Sequence, residues 1–125
     1  MDKKIGIILV AHGSKHKKSN DEFIQLCDSI RVENLDKFDF IEHAFLEFEE
    51  PTIEMAIKSV HERSIDNVSV YPYFLNSGKH VSVDLPFIIS EVETLYPSMK
   101  IELLNHFGSS KSILSIISSD LEAVL

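Results

Sequence analysis

Apolar and polar positions along the chain form four strand-like runs, each followed by a segment with helical spacing. The first run, Ile5 to Ala11, is continuously apolar, which is typical of a strand buried on both faces. The predicted strands cover about residues 4–11, 39–47, 67–74 and 100–105. The predicted helices cover about residues 19–33, a segment from Pro51, residues 81–95, and a last segment after Gly108-Ser109 through Leu121.

Local signals predict where the helices begin. Ser19-Asn20-Asp21-Glu22 has the form of a capping box, in which Ser19 would cap the first helix. Pro51 suits the first turn of the second helix, because its missing N–H costs nothing there. Pro86 falls in the first or second turn of the third helix, so we expect that helix to start a few residues after position 81.

Alternating strands and helices with short connections predict a parallel sheet with right-handed crossovers. We therefore expect an α/β fold, a small flavodoxin-like three-layer sandwich. Its four-stranded parallel sheet is expected to have the order 2-1-3-4 and to carry helices on both faces. A chain of 125 residues has an ordinary size for one domain, so residues 1–125 are expected to form a single domain.

Two histidines follow predicted strands at equivalent places. His12 closes the first run and is followed by Gly13-Ser14, while His80 comes after the third run and the Asn76-Ser77-Gly78 loop. Ligands bind outside the carboxyl ends of the strands in an open parallel sheet, so the two imidazoles are expected to face one pocket. Imidazole titrates near neutral pH and is the commonest metal ligand. The pair therefore indicates metal or proton chemistry.

A carboxylate is expected beside the two histidines. Glu47 ends the second predicted strand and is a candidate third ligand for a borderline divalent metal, or a proton acceptor. Glu49 and Glu50 instead precede a helix, where negative charge favourably faces the helix dipole. Gly13 and Gly78 are expected to let the backbone approach a bulky ligand or adopt positive φ.

The remaining histidines point less clearly to chemistry. His106 follows the fourth predicted strand and is expected either in the pocket or on the surface. His16, His43 and His61 are interpreted as structural or solvated. The sequence contains no dinucleotide, P-loop, H-E-x-x-H or paired C-x-x-C motif, so nucleotide and structural zinc sites have no motif support.

Composition and cysteine content set the broad class. The chain is 44% hydrophobic and 26% charged, as in globular proteins, and its longest apolar run is about one strand long. A membrane helix needs roughly 20 apolar residues, so none is expected. Met1 to Lys4 lead directly into the first strand without a hydrophobic region or cleavage site, so no signal peptide is expected. A single cysteine, Cys27, fits a small core residue and a reducing cytoplasm.

Charge narrows the class of partner. The net charge of −8 argues against nucleic acid, because binding phosphates needs a basic surface. Lys15, Lys17 and Lys18 nevertheless follow His12, and Lys79 directly precedes the other histidine. These lysines are either solvated loop residues or a basic rim that attracts a polyanionic ligand.

Three segments carry a family resemblance in combination. They are Val10-Ala11-His12-Gly13-Ser14 with Asn20, Ala44-Phe45-Leu46-Glu47 with Pro51, and Pro72-Tyr73-Phe74-Leu75 with Gly78, His80, Val81 and Asp84. Their order and spacing resemble the class II tetrapyrrole chelatase family, in its small sirohydrochlorin cobalto-/ferrochelatase type (CbiX-like). The resemblance covers Ile5 to about Leu104. It ends at Asn105-His106-Phe107-Gly108, where relatives tend to carry a His-Pro pair after Leu-Gly.

The resemblance implies a chelatase that inserts Co²⁺ or Fe²⁺, with Ni²⁺ a further candidate, into sirohydrochlorin for cobalamin or sirohaem biosynthesis. It implies that His12 and His80 are the metal-binding and proton-accepting pair and that Glu47 lines the same cleft. The metal is then a substrate, no organic cofactor is needed, and short members are expected to form homodimers. Sirohydrochlorin is a polycarboxylate, and the residues expected to bind it are Ser14, Lys15, Gly78 and Lys79.

Other functions remain open. A non-catalytic metal or tetrapyrrole carrier would use the same two histidines and would differ only in turnover. A phosphoryl-transfer enzyme would want an arginine clamp, and the two arginines, Arg31 and Arg63, are predicted on helices away from the strand ends. A flavodoxin-like electron carrier would need a phosphate-binding loop after the first strand, and the sequence has none there.

Overall fold

The computed structural model describes residues 4–125, in which four parallel strands form one sheet. The strands are β1 (Ile5–Ala11), β2 (Phe40–Phe45), β3 (Asn67–Pro72) and β4 (Lys100–Leu103). The helices are α1 (Lys17–Glu33), α2 (Ile53–Glu62), α3 (Leu85–Leu95) and α4 (Ser112–Glu122). A π-helical turn, His80–Asp84, precedes α3, and a 3-10 turn, Phe107–Ser109, precedes α4.

The strand order is β2-β1-β3-β4, which confirms the predicted parallel sheet and its order. β1 pairs with both β2 and β3, so that Val10 lies between Ala44 and Pro72 in the register. Because all four strands run in the same direction, their carboxyl ends meet at one edge. This edge, called the carboxyl edge below, is where the sequence predicts a pocket.

One face of the sheet is closely packed. Alternate residues of a strand point to opposite faces, and on this face the side chains of Ile8 and Val70 contact two helices. Ile57 and Val60 from α2 and Leu85 from α3 complete this part of the core, and all five side chains are fully buried. The continuous apolar run of β1 follows from burial on both faces.

The other face carries α1. Phe23 and Cys27 on this helix pack against Leu9 and Phe45 of the sheet. Cys27 is fully buried, as expected for a core residue, and its burial raises the pKa of the thiol to about 12. Helix α4 contributes no buried residue, so within residues 4–125 the two helical layers are unequal.

Three strands are shorter than the sequence predicts. β2 ends at residue 45 rather than 47, β3 at 72 rather than 74, and β4 at 103 rather than 105. The next residues, Leu46, Tyr73 and Leu104, still donate one backbone hydrogen bond each to a neighbouring strand, at 2.9, 2.7 and 2.9 Å. The chain then leaves the sheet. The apolar composition of a strand does not show where the strand ends, because its end depends on where the neighbouring strand stops.

The predicted capping box of the first helix is wrong. α1 begins at Lys17 with His16 at the N-cap, so Ser19 lies inside the helix. The buried side chain of Asn20 instead accepts a hydrogen bond from the Ser14 amide at 2.9 Å and donates one to the Ser14 carbonyl at 2.8 Å. These two bonds fix the loop before the helix and move the start of the helix towards the strand.

Pro51 and Pro86 occupy different positions relative to the starts of α2 and α3. Thr52 caps α2 by accepting a hydrogen bond from the Met55 amide at 3.2 Å. Pro51 therefore precedes the helix and is not in its first turn. In α3, Pro86 occupies the first turn, as predicted, and the helix begins at residue 85 after the π-helical turn.

In the described part of the chain, no helix combines the length and apolar character that crossing a membrane requires. The sequence expectation about a signal peptide concerns the amino terminus, of which Met1 to Lys3 lie outside the described residues.

Candidate functional site

His12 lies at the carboxyl edge, directly after the last residue of β1. Its carbonyl accepts a hydrogen bond from the Glu47 amide at 3.0 Å. Gly13 follows with a φ of +92°, and a Cβ at this position would lie 1.8 Å from the Glu47 carbonyl oxygen. Only glycine allows the two loops to approach this closely, so the expectation for Gly13 is confirmed.

Glu47 reaches the same place from a loop. The sequence predicts it at the end of a strand, but it lies two residues beyond the end of β2. Its Oε1 is 2.5 Å from the Nε2 of His12, and both side chains are partly open to solvent. The backbone bond between the two loops explains why the carboxylate still reaches the imidazole.

His80 follows β3 after a loop, as the sequence predicts, but it lies in a turn that the sequence does not predict. β3 ends at Pro72, and His80 is the first residue of the π-helical turn. Its Nδ1 donates a hydrogen bond to Oδ2 of Asp84 at 2.8 Å. This bond orients the ring and leaves Nε2 for another partner, as is common for histidines that bind metals.

The side chains of His12, Glu47 and His80 form one cluster. One potential ligand atom from each lies within 4.8 Å of the others. The two imidazole rings are 4.4 Å apart between centroids and are tilted by 36°. Two imidazoles and a carboxylate are the ligand set of non-haem iron(II) sites, in which further coordination positions stay open. The arrangement can therefore hold a borderline divalent ion while leaving room for ligands from a substrate.

An open pocket of about 270 Å³ adjoins the cluster. Its lining residues are Leu46, Glu47, His80, Asp84, Phe87 and Ile88. The lining combines carboxylate and imidazole groups with apolar side chains. A pocket of this kind suits a ligand that has both an apolar body and a polar reacting centre.

Phe48 adds an exposed aromatic surface next to the cluster. Its backbone has a φ of 69°, which is unusual for a bulky residue. Its ring lies edge-on to the His12 ring at 6.2 Å. The Nζ of Lys15 lies 5.4 Å from the centre of the same ring, a cation–π contact. Lys15 is thus near the cluster, as the sequence predicts.

The other predicted substrate-binding residues lie around the site in different ways. Ser14 contacts its own loop, since its hydroxyl accepts a hydrogen bond from the His16 amide at 3.0 Å. Gly78 and Lys79 are exposed just before His80. The φ of Gly78 is not in the left-handed region, so the expectation of positive φ there is wrong, and a Cβ added at this position would meet no protein atom within 4 Å.

The other lysines and histidines lie outside the cluster. Lys17 and Lys18 are exposed on the first turn of α1, and the Nζ of Lys17 is 3.1 Å from Oδ2 of Asp21. His106 is half-buried after β4. His43 and His61 are half-buried, and within residues 4–125 their Nδ1 atoms are buried without a hydrogen-bond partner. The Nδ1 of His43 lies 3.3 Å from Oε1 of Glu42, close but not in hydrogen-bonding geometry.

Glu47, the hydrogen-bond partner of His12, was predicted beside the imidazoles, whereas the partner of His80 was not. Asp84 stands four residues after His80, in a segment predicted to be helical. Because residues four apart on a helix are neighbours, their contact could have been predicted. Phe87, one turn later, could have been placed beside the pocket by the same rule. The left-handed backbone of Phe48 has no comparable sequence signal.

Residues 6–124 match the sequence model of the family described as CbiX. The chain belongs to the CbiX family. This finding confirms the resemblance carried by the three sequence segments. One member, the sirohydrochlorin cobaltochelatase of Sulfurisphaera tokodaii, is 32% identical over 120 residues, which cover 96% of this chain and 93% of the relative.

Two solved structures extend the similarity beyond CbiX sequences. SirB from Bacillus subtilis with Fe³⁺ superimposes with a TM-score of 0.87 at 26% identity, over 97% of this chain and 47% of that chain. The sirohydrochlorin chelatase SirB from Bacillus subtilis subspecies spizizenii, in complex with cobalt, gives 0.86 at 25% identity, over 97% and 51%. This CbiX chain therefore spans about half the length of each SirB chain.

Proposed function

We propose that this protein inserts a divalent metal ion, Co²⁺ or Fe²⁺ with Ni²⁺ a further candidate, into sirohydrochlorin, in cobalamin or sirohaem biosynthesis. The observation that carries the proposal is the convergence of His12, Glu47 and His80 within 4.8 Å at the carboxyl edge. The relatives support the choice of substrate, since one is named a sirohydrochlorin cobaltochelatase and another a sirohydrochlorin chelatase in complex with cobalt.

The ion is proposed to bind first to the imidazoles. His80 offers Nε2, because its other ring nitrogen is held by Asp84 at 2.8 Å. His12 supplies the second nitrogen and Glu47 the carboxylate. Imidazole holds borderline ions less tightly than thiolate does, so the metal can still pass to the ring nitrogens of the tetrapyrrole.

Insertion also requires proton acceptors. The incoming ion replaces the two pyrrole N–H protons, so the products are the metallated ring and two protons. The hydrogen-bonded pair of His12 and Glu47, 2.5 Å apart, is open to solvent on one side and lies beside the metal position. We assign these groups, once the ion has left them for the ring nitrogens, to accept the protons and pass them to water.

The polar and aromatic rim is proposed to hold the macrocycle. Lys15, Lys17, Lys18 and Lys79 would face its carboxylates, with Ser14 and Gly78 beside them in the two loops of the rim. Phe48 and the pocket residue Phe87 expose aromatic faces suited to a flat ring.

The proposed reaction transfers no electrons and therefore needs no organic cofactor. The protein is proposed to work in the cytoplasm, as residues 1–125 forming one domain. A homodimer is supported by length, because this chain spans 47% of a SirB chain and a second copy would supply the other half.

The test is anaerobic absorbance spectroscopy of sirohydrochlorin with Co²⁺, Fe²⁺ or Ni²⁺ and a catalytic amount of protein. Multiple turnovers above the rate of a protein-free control are expected, and the fastest ion identifies the preferred metal. Binding that stops at one equivalent would make the protein a carrier and contradict the proposed catalysis.

A further inference from the structure

Phe48 has a backbone conformation that its residue type disfavours. Its φ of 69° lies in the left-handed region, where the Cβ of a bulky residue crowds the following carbonyl oxygen. Glycine, asparagine or aspartate would form the same turn with less strain. The turn alone therefore does not explain a phenylalanine at this position.

The other left-handed residues in the part of the chain that the structure describes have local explanations. Gly13 is a glycine at the close approach to the Glu47 carbonyl. Ser64 has a φ of 60° and follows the carboxyl end of α2, where a left-handed residue commonly ends a helix. Its amide donates a hydrogen bond to the His61 carbonyl at 2.9 Å, which closes that end. Phe48 lies in the loop between β2 and α2 and ends no helix.

Packing in the core does not explain the ring either. Phe48 is 55% exposed, and within residues 4–125 it belongs to neither apolar cluster that joins the sheet to its helices. The ring contacts two groups of the site instead: the His12 ring, edge-on at 6.2 Å, and the Nζ of Lys15, 5.4 Å from its centre. Strained residues of this kind cluster at ligand-binding and active sites, where the surrounding structure holds them in place. These observations point to a ligand that meets the ring from solvent.

The surroundings of the ring define the chemistry of that ligand. An aromatic face attracts a flat π-system by stacking, and it gains less from a puckered ring that cannot lie against it. Lys15 adds a positive charge beside the ring, which suits a carboxylate at the edge of the ligand. The adjoining cluster of His12, Glu47 and His80 suits a ligand with metal-binding nitrogens at its centre. A flat macrocycle with carboxylates at its periphery meets all three conditions.

We propose that Phe48 is a specificity-determining residue, which stacks on the macrocycle and selects flat, conjugated tetrapyrroles against puckered ones that carry the same carboxylates. The inference rests on the proposed chelatase function and adds to it a preference for a conjugated ring. Stacking acts in the ground state and in the transition state alike, so loss of the ring should raise KM and leave kcat nearly unchanged.

Binding of metal-free macrocycles to the full chain tests the selection. The probes are sirohydrochlorin and a matched pair, uroporphyrin and uroporphyrinogen, which carry the same carboxylates on a flat ring and on a puckered one. Phe48→Gly removes the side chain and also relieves the left-handed backbone. We expect this variant to bind the two flat probes about 10-fold more weakly, and uroporphyrinogen as well as the wild-type protein does. Anaerobic equilibrium dialysis measures all three dissociation constants.

Matched variants separate the aromatic ring from the backbone strain. Phe48→Leu keeps an apolar side chain in the strained conformation but has no aromatic face, so it should lose the preference for flat probes. Phe48→Tyr keeps the face and should retain the preference. Ser64→Gly relieves the left-handed residue at the end of α2 and should leave all three dissociation constants unchanged.

Two further measurements distinguish selection from a structural role. Phe48→Gly should unfold at a temperature no lower than the wild-type protein, because glycine accepts the left-handed conformation without strain. Its Co²⁺ affinity should also be unchanged, because Phe48 is not a member of the metal cluster. Lower thermal stability or weaker Co²⁺ binding would show that Phe48 holds the Glu47 loop, and would overturn the proposal.

The probes also separate this inference from the proposed function. Equal losses for uroporphyrin and uroporphyrinogen would contradict selection by ring shape. A wild-type protein that turns over sirohydrochlorin but binds the flat and the puckered probe equally would contradict the inference alone. A wild-type protein that binds no sirohydrochlorin would contradict the chelatase function as well.

Discussion

The two imidazoles in the cluster of His12, Glu47 and His80 are held in place by different kinds of structure. His12 extends a central strand, and its backbone is bonded to the Glu47 loop at 3.0 Å. His80 stands eight residues beyond the end of β3, at the start of a π-helical turn. One half of the site is therefore built on paired backbone, and the other half on a single irregular turn of the kind often found at functional sites.

The carboxylate partners differ in the same way. Glu47 bonds to the Nε2 of His12 and is itself a member of the cluster. Asp84 bonds to the Nδ1 of His80 from outside the cluster. The comparison indicates that Glu47 can take part in the chemistry, whereas Asp84 orients a ligand. Substitutions of the four residues should therefore have graded effects.

Removal of either imidazole should have the largest effect. His12→Ala and His80→Ala are each expected to lower the initial rate of metal insertion at least about 100-fold, because each removes a ligand or proton acceptor. Anaerobic absorbance assays measure this rate. His16→Ala, an exposed histidine in the same loop as the lysines, is the control and should keep the wild-type rate. A near-normal rate in either of the first two variants would remove that residue from the mechanism.

Loss of the charge of Glu47 should have the next largest effect. Glu47→Gln keeps the size of the side chain and leaves both imidazoles, so we expect a loss of about 30-fold in the rate. Glu50→Gln changes an exposed carboxylate nearby and should be neutral. If the two variants behave alike, Glu47 acts only in holding the loops together.

Asp84→Asn should mainly weaken metal binding. The amide can still contact the His80 ring, but it no longer fixes the tautomer that presents Nε2, so Co²⁺ affinity should fall about 10-fold. Titration of the cobalt absorption bands measures this change, and the rate at saturating Co²⁺ should fall less. Glu91→Gln on α3 is the control. An unchanged Co²⁺ affinity would show that Asp84 stabilises the π-helical turn and does not affect metal binding.

Charge reversal at the rim should have the smallest effect. With Lys15, Lys17 and Lys18 changed to Glu, sirohydrochlorin should bind about 5-fold more weakly at low salt, and the difference should shrink at high salt. Reversal of Lys4, Lys37 and Lys100 provides the same change in charge away from the site, since these residues lie at or before the starts of strands, at the opposite edge of the sheet. Equal losses in both triple variants would remove the basic rim from substrate binding.

The sequence predicts the sheet and the main histidines because their signals are local. The continuous apolar run of β1 predicts a strand buried on both faces. Because that run stops at Ala11, the sequence also predicts that His12 lies at the carboxyl end of the strand. Parallel pairing follows from the alternation of strands and helices, whereas the order 2-1-3-4 was expected from the flavodoxin-like arrangement, one of several that right-handed crossovers allow. Strand ends and helix caps were less predictable, because the Asn20 bonds to Ser14 and the pairing after β2 depend on neighbours in space.

The backbone that holds His80 was also not predictable from the sequence. His80 could be placed near the pocket, but not on a π-helical turn, because no residue pattern marks that geometry. Helix α4 carries several apolar residues, among them Leu114 and Ile117, yet these are exposed within residues 4–125. A pattern of apolar residues indicates a surface that can be covered and does not show what covers it.

In the proposed reaction, the ion inserted into the tetrapyrrole is the one held by His12, Glu47 and His80. Protein loaded anaerobically with one equivalent of Co²⁺ can be mixed in a stopped-flow cell with sirohydrochlorin and enough chelator to trap free ions. We expect a burst of cobalt-sirohydrochlorin equal to the bound cobalt, and none from the His12→Ala/His80→Ala double variant. No burst from the wild-type protein, or an equal burst from the double variant, would contradict it.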